Sequence, residues 1–285
     1  MNTITKKMTK EEMLTLYTKV SPYILKESKP AYTVFQVKLE SCTITAYESG
    51  KVVFQGKNLD WLESEKKEES VKEIFPQAGS DEVGTGDYFG PVVVAACIVE
   101  ESQASYLKSL GIQDSKAIDD TKIRQLAPKI KKVCPYSILI VQNDKYNVVH
   151  EQHNMVDMKC LLHNQAYVNL IHKGYTLPAF IIIDQFVQKN SYYRYLKNVK
   201  EVVPNIHFET KAENKYISVA CASVLARNAF LEAWDQMEEK YGMPLEKGAG
   251  AKVDVCARAF VEKYGLEELK HISKFHFANT KKVLG

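Results

Sequence analysis

The sequence predicts an α/β fold preceded by a small α+β domain, and three observations carry that prediction. Two wholly apolar runs, 92–99 (VVVAACIV) and 179–183 (AFIII), are too short for helices and rich in branched residues, the pattern of strands buried on both faces. Stretches with helical spacing lie around them, at 119–132, 155–172 and 216–241. Ahead of these, residues 32–54 alternate polar and apolar, as half-buried antiparallel strands do, and the almost wholly charged run 63–69 follows.

Taken in order, residues 9–26 place Met13, Leu16, Tyr17, Val20 and Leu25 at roughly helical spacing, interrupted at Ser21-Pro22. From Tyr32 to Glu40, Phe35, Val37 and Leu39 share one face; Cys42 to Tyr47 alternates again, residues 48–51 form a turn, and Val52 to Phe54 pairs back. A helix is expected to start at Asn58 to Leu62. The charged run buries little apolar surface, which marks a linker. The expected domains are therefore 1–65 and 77–285, joined by 66–76.

In the second domain Asp119 is an N-cap for a helix to about Lys132, and Tyr136 to Val141 is a strand. The helix 155–172 is expected to bury Leu161, Leu162, Tyr167, Val168 and Ile171. The apolar strand 179–183 ends on Asp184, and a carboxylate at the tip of a buried strand is held firmly enough for chemistry. Residues 189–215 combine Lys189, Arg194, Lys197, Lys200, Lys211 and Lys215 with Tyr192, Tyr193 and Tyr195, a pattern that suits either a polyanion or a solvated face. Small residues at 218–226 let the next helix pack close to a sheet, and Glu213 precedes its positive N-terminus. A last helix is expected at 255–264, after Gly248 and Gly250.

Residues 79–91 (GSDEVGTGDYFGP) read as strand, tight turn, strand, with Asp81 and Glu82 where the first strand meets the turn. Gly84 and Gly86 permit positive φ and let backbone amides approach a ligand. A dinucleotide loop needs G-x-G-x-x-G opening a helix; here the spacing is one residue too long and a strand follows. A hairpin bearing two solvated acids fits this stretch taken alone.

Composition is permissive: the net charge of +3 allows a nucleic-acid partner without demanding one. The cysteines at 42, 97, 134, 160, 221 and 256 show no C-x-x-C spacing, so they signal neither zinc nor a disulfide framework but buried thiols of a reducing compartment. His150 and His153 do not have the zinc-protease spacing. No signal peptide or membrane span is signalled, and the expected location is the cytoplasm.

Asp81, Glu82, Asp184 and Glu213 thus hold strand-end or helix-start positions. Two such charges at 4 Å repel by roughly 4 kcal/mol at an effective dielectric of 20, so a converging set needs cations. Oxygen ligands select hard ions, Mg²⁺ or Mn²⁺, and a pair of these suits phosphodiester hydrolysis.

The motifs at 81–91 (DEVGTGDYFGP), 114–116 (DSK), 211–216 (KAENKY) leading to Arg227, and 247–254 (KGAGAKVD), together with the Asp184 strand end, resemble the type 2 ribonucleases H, specifically the bacterial ribonuclease HIII branch. The likeness runs from about residue 75 to the C-terminus. It implies a ribonuclease H-like mixed sheet flanked by helices, with Asp81, Glu82, Asp184 and Glu213 as metal-binding catalytic acids and two ions during catalysis. Glu213 and the Gly84-Thr85-Gly86 turn stand where the sister ribonucleases HII have aspartate and Gly-Arg-Gly. Residues 30–62 resemble the branch's TATA-box-binding-protein-like substrate domain.

The implied reaction is endonucleolytic hydrolysis of the RNA strand of RNA/DNA hybrids, leaving 5′-phosphomonoesters, by a monomer with no obligate protein partner. Amides of Gly84, Thr85 and Gly86 are suited to reading a 2′-OH. Lys116 and Lys211 are suited to phosphate contacts, and Ser115 belongs to the same substrate-binding motif. Two rivals remain at this stage. A non-catalytic hybrid-binding protein would lack a full acidic set, and a structure-selective nuclease of the same core would use the same chemistry.

Overall fold

The computed structural model describes residues 2–56, 74–112 and 118–284. The chain divides into two compact units, Met1–Val71 and Lys72–Gly285. The expected helix start at 58–62 and most of the linker lie outside the described residues.

In the first unit, β1 (Asn2–Lys7), β2 (Lys26–Ser28), β3 (Thr33–Lys38), β4 (Cys42–Tyr47) and β5 (Lys51–Gly56) form an antiparallel sheet of order β1-β5-β4-β3-β2. Helix α1 (Lys10–Val20) begins with a capping box: Glu12 N–H donates to Thr9 Oγ1 at 3.2 Å and Thr9 N–H to Glu12 Oε2 at 2.6 Å. It ends in a 3₁₀ turn at Ser21–Tyr23, where Pro22 cannot donate the next helical hydrogen bond. Met13, Leu16 and Val20 close over Phe35, Val37, Ile44 and Phe54, whereas Leu25 is exposed. The register puts Lys38 opposite Thr43 and Gln36 opposite Thr45, on the face away from that core.

The second unit is built on a mixed sheet of order β10-β9-β6-β7-β8. Its strands are β6 (Gln77–Val83), β7 (Val92–Val99), β8 (Tyr136–Val141), β9 (Phe180–Asp184) and β10 (His207–Glu209). β6 pairs antiparallel with β7 and parallel with β9. The helices in chain order are α2 (Glu101–Ser109), α3 (Asp120–Val133), α4 (Asn143–His150), α5 (Met155–His172), α6 (Lys189–Tyr195), α7 (Ile217–Tyr241), α8 (Ala251–Tyr264), α9 (Leu266–Ile272) and α10 (Ala278–Leu284). Asp119 caps α3, its side chain accepting from Lys122 N–H at 2.7 Å.

The apolar run in β7 is continuous because both faces are covered. Val93, Ala95, Cys97 and Val99 enter the core shared with α3, α7 and α8, while Val94, Ala96 and Ile98 enter the one shared with α5 and α6. Small residues let α7 lie against β6 as expected: a Cβ at Gly79 would collide with the backbone at Ser218 and Val219. All six cysteines are buried, and none is in a disulfide. No helix among the described residues is long and apolar enough to cross a membrane.

Two readings need correction. In α5, Tyr167 and Val168 are buried as expected, but Ile171 is exposed and Leu161 and Leu162 are half-buried; the buried face also carries Cys160, His163 and Asn164. In the basic stretch, Tyr192 is fully buried and Tyr193 and Tyr195 pack against the same core, so these rings fill the interior rather than offering a stacking platform. Of its cations, Lys215 is paired with Glu209 at 2.6 Å.

Candidate active site

Strand pairing decides where the two adjacent acids point. Asp81 lies opposite Ala95 and Glu82 opposite Val94, and these two belong to different cores, so Asp81 faces α7 and Glu82 faces α5. The β6/β9 pairing runs to Ser80/Ile183, which leaves Asp81 and Asp184 as the next residues on adjacent parallel strands. Asp184 Oδ1 accepts from Ala212 N–H at 2.9 Å, and this contact ties β9 to the 3₁₀ turn Ala212–Asn214 that carries Glu213. That turn starts from Lys211, an exposed residue in the left-handed region at φ 55°, and runs into α7.

The electrostatics follow from this placement. Burial pushes the Asp81 carboxyl up, and the neighbouring charges of Glu82 and Asp184 push it the same way, against hydrogen bonds from Ser223 and the Glu82 amide. Burial acts upward on Glu82 as well, but His163 and Lys159 outweigh it and hold this carboxyl well below the usual range. Glu82 Oε2 lies 2.9 Å from His163 Nε2, and Oε1 forms an ion pair with Lys159. His163 Nδ1 in turn meets Ser80 Oγ at 2.7 Å.

Neither Lys159 nor His163 was legible as a site residue. His163 alone has a signal, and it is periodic: Cys160, His163, Asn164 and Tyr167 share the face of α5 that turns inward, so a histidine there must find a polar partner.

The expected convergence of four carboxylates is only partly drawn. Asp81, Glu82 and Asp184 are within electrostatic reach of one another, yet among the described residues no three His, Cys, Asp or Glu side chains form a group that could hold a metal ion. Glu82 gives both its oxygens to α5. The donor chemistry nonetheless fits a hard divalent cation: the oxygens are all carboxylate, and the mutual repulsion that raises Asp81 is what a cation would relieve.

Gly84, in the turn after β6, has φ 87°, and a Cβ there would collide with the Pro91 carbonyl. Gly86 differs from expectation: no positive φ is needed and a Cβ would meet nothing within 4 Å, so this position is open rather than strained. Thr85 is half-buried between them, and Ser115 and Lys116 lie outside the described residues.

The C-terminal segment, unremarkable as sequence, holds this turn. Lys274 N–H donates to the Tyr88 carbonyl at 2.7 Å, Gly90 N–H to that of Ile272 at 2.9 Å, and Gly248 N–H to Asp87 Oδ1 at 2.6 Å. Beside the acids lies a cleft of 290 Å³ lined by Glu82, Ile118, Asp120, Ser223 and Arg227 among others. Asp120 there pairs with Arg227 at 2.9 Å and Lys247 at 2.8 Å. His150 and His153 are otherwise engaged: His150 stacks on His276 with ring centres 3.6 Å apart, and His153 Nδ1 meets Asp157 Oδ2 at 2.5 Å.

A mixed sheet with carboxylates at the ends of the adjacent parallel strands β6 and β9 is the arrangement expected of a nuclease of the ribonuclease H type. The family described as Ribonuclease HII matches residues 78–280, and a Domain of unknown function (DUF3378) matches residues 3–71. Ribonuclease HIII of Bacillus cereus is 42% identical over 283 residues, 91% of each chain. Ribonuclease HIII of Bacillus mycoides is 42% identical over 277 residues, 89% of each. The crystal structure of Bst-RNase HIII in complex with Mn²⁺ superposes with a TM-score of 0.71 at 36% identity, covering 99% of this chain and 98% of that one. The chain belongs to the type 2 ribonucleases H, in the ribonuclease HIII branch. It is accordingly a divalent-metal-dependent endonuclease that hydrolyses the RNA strand of RNA/DNA hybrids.

Proposed function

We propose that Asp81, Glu82, Asp184 and Glu213 hold two divalent cations, Mg²⁺ or Mn²⁺, against the scissile phosphate of the RNA strand. The observation that carries this reading is the β6/β9 register, which sets Asp81 beside Asp184; burial first, and the charges of Glu82 and Asp184 with it, push the Asp81 carboxyl up, and a cation makes such a set favourable. Divalent cations bound by such oxygens supply a water of lowered pKa and offset charge on the phosphodiester.

The protein's own part is positional. Ala212 N–H and Ser223 fix the orientations of Asp184 and Asp81, and His163 that of Glu82. The open position at Gly86 leaves room for a sugar edge to approach the Gly84–Gly86 amides, where a 2′-OH is distinguished from a hydrogen. Lys211 and Lys116 contact phosphates and set register without reading sequence. In the first unit, the sheet face bearing Lys38, Thr43, Thr45 and Tyr47 grips the duplex backbone; Gln36 Nε2 donates to Thr45 Oγ1 at 2.9 Å and keeps that face ordered. The enzyme acts as a cytoplasmic monomer.

The test is a labelled RNA/DNA hybrid beside single-stranded RNA and duplex DNA, with and without EDTA. Cleavage confined to the RNA of the hybrid, abolished by EDTA and leaving 5′-phosphates, is the expected result. Equal cutting of single-stranded RNA contradicts the substrate reading.

A further inference from the structure

Glu82 is bound on both oxygens by one helix. Lys159 and His163 are four residues apart on α5 and so rise from the same face, one to each oxygen of the carboxylate. Ser80 and Glu82 are two apart on β6 and so point to that same side, and His163 bridges them, Nδ1 to Ser80 and Nε2 to Glu82. With both ring nitrogens committed and no exposed surface, His163 has a single orientation.

Lys159 is held differently. Its ammonium sits 3.9 Å from the ring centre of Phe186, and that ring also stacks on His163 at 5.3 Å. Phe186 follows Asp184 by two residues, so the loop that carries one acid packs on the cation facing another.

The two partners of Glu82 therefore differ in consequence. His163, fixed by Ser80 on its far nitrogen, holds the carboxylate in one orientation. An ammonium on the other oxygen occupies the place and the charge that a divalent cation would use, and two cations on one oxygen repel.

We propose that His163 and Lys159 are opposed positioning residues for Glu82: His163 orients the carboxylate toward a metal ion, while Lys159 competes with that ion and sets how tightly it binds. The inference rests on the reading of Glu82 as a ligand. A divalent cation held by Glu82 would compete with the Lys159 ammonium for the charge of that carboxylate, and Lys159 would keep its contact with the Phe186 ring. The site thereby keeps its carboxylates compatible with one another before cations arrive and holds the ions less tightly than the bare acids would.

The experiment titrates MnCl₂ calorimetrically into the full chain and into Lys159→Met, His163→Ala, His163→Gln and Glu82→Gln, with no nucleic acid present. Lys159→Met is expected to tighten Mn²⁺ binding by about tenfold and His163→Ala to weaken it by about tenfold, the usual scale for residues that support a ligand. His163→Gln, whose amide can still donate to Glu82, is expected to recover most of that loss.

Thermal melts provide a second readout and confirm folding. Lys159→Met is expected to melt lower without Mn²⁺ and to gain more than the unsubstituted protein when Mn²⁺ is added. Unchanged or weaker Mn²⁺ binding in Lys159→Met, with Glu82→Gln clearly weaker, overturns the competition while leaving the ligand reading intact. Unchanged binding in Glu82→Gln overturns both.

Discussion

Lys274 Nζ donates to the main-chain carbonyl of Asp87 at 2.7 Å, across 187 residues of sequence. A second bond, 2.6 Å to the Gly90 carbonyl, lets the same amine span the end of the glycine-rich turn, and the side chain is wholly buried. Two acceptors match the two N–H groups of a neutral amine, so the clamp does not need the charge. Burial lowers the Lys274 pKa to about 7, the Asp87 carboxylate opposing the shift only in part.

That shift has a defined sign. Unfolded, the lysine keeps its proton to about pH 10.4; folded, it releases it near neutrality, so between these limits the unfolded state binds more protons and stability rises with pH. Lys274→Met removes the difference. Between pH 7.5 and 9.5 the unsubstituted protein is expected to gain about 2 kcal/mol relative to Lys274→Met, at about 1.36 kcal/mol per pH unit for one proton. Denaturant melts at several pH values measure it, and parallel stability curves for the two proteins contradict it.

The first unit has its own core, and the proposed function has it bind without cutting. Deleting residues 1–65 is expected to raise KM and to flatten the salt dependence of binding, about one unit of slope for each lost phosphate contact. Turnover at saturating hybrid is expected to stay within about tenfold, because uniform binding acts on KM. Circular dichroism verifies the fold of the remainder. A folded deletion protein with unchanged affinity and lost turnover would instead make the first unit part of the active site.

The Gly84-Thr85-Gly86 turn lacks the arginine that the sister enzymes carry at the position of Thr85. Efficient cutting within runs of ribonucleotides is expected, with poor incision at a single ribonucleotide in duplex DNA. Comparing kcat/KM for the two substrates decides the matter, and equal values contradict the expectation.

Much of the second unit was legible because its central elements are buried on two faces or strongly periodic. Val92–Val99, Tyr136–Val141 and Met155–His172 fall where the pattern put them. The short peripheral elements were not. α2 buries only Ala104 and Leu107, too few to set a period, and β1 turns a single large apolar residue, Ile4, toward its core. Helix α8 starts at Ala251 rather than Val255, since the small residues after Gly250 look like loop.

Asp81 and Glu82 stand out as candidates in the sequence because the two carboxylates adjoin a glycine-rich turn. Their separation onto opposite sides of β6 was implicit in strand alternation but not drawn from it. The partners of Glu82 come from a helix about eighty residues away in sequence, and Lys274 from still further, so only tertiary structure brings them in.

The measurement that bears most directly on the account is single-turnover cleavage of an RNA/DNA hybrid by Asp81→Asn, alongside hybrid affinity in EDTA. Asp81 is the acid on which burial and both neighbouring carboxylates converge. On the proposed function the substitution takes away a cation ligand and a negative charge facing phosphate, so cleavage is expected to fall by about three orders of magnitude or more while affinity in EDTA is unchanged or higher. A folded Asp81→Asn protein that cleaves hybrid at the unsubstituted rate would contradict the assignment of these carboxylates as the site of hydrolysis.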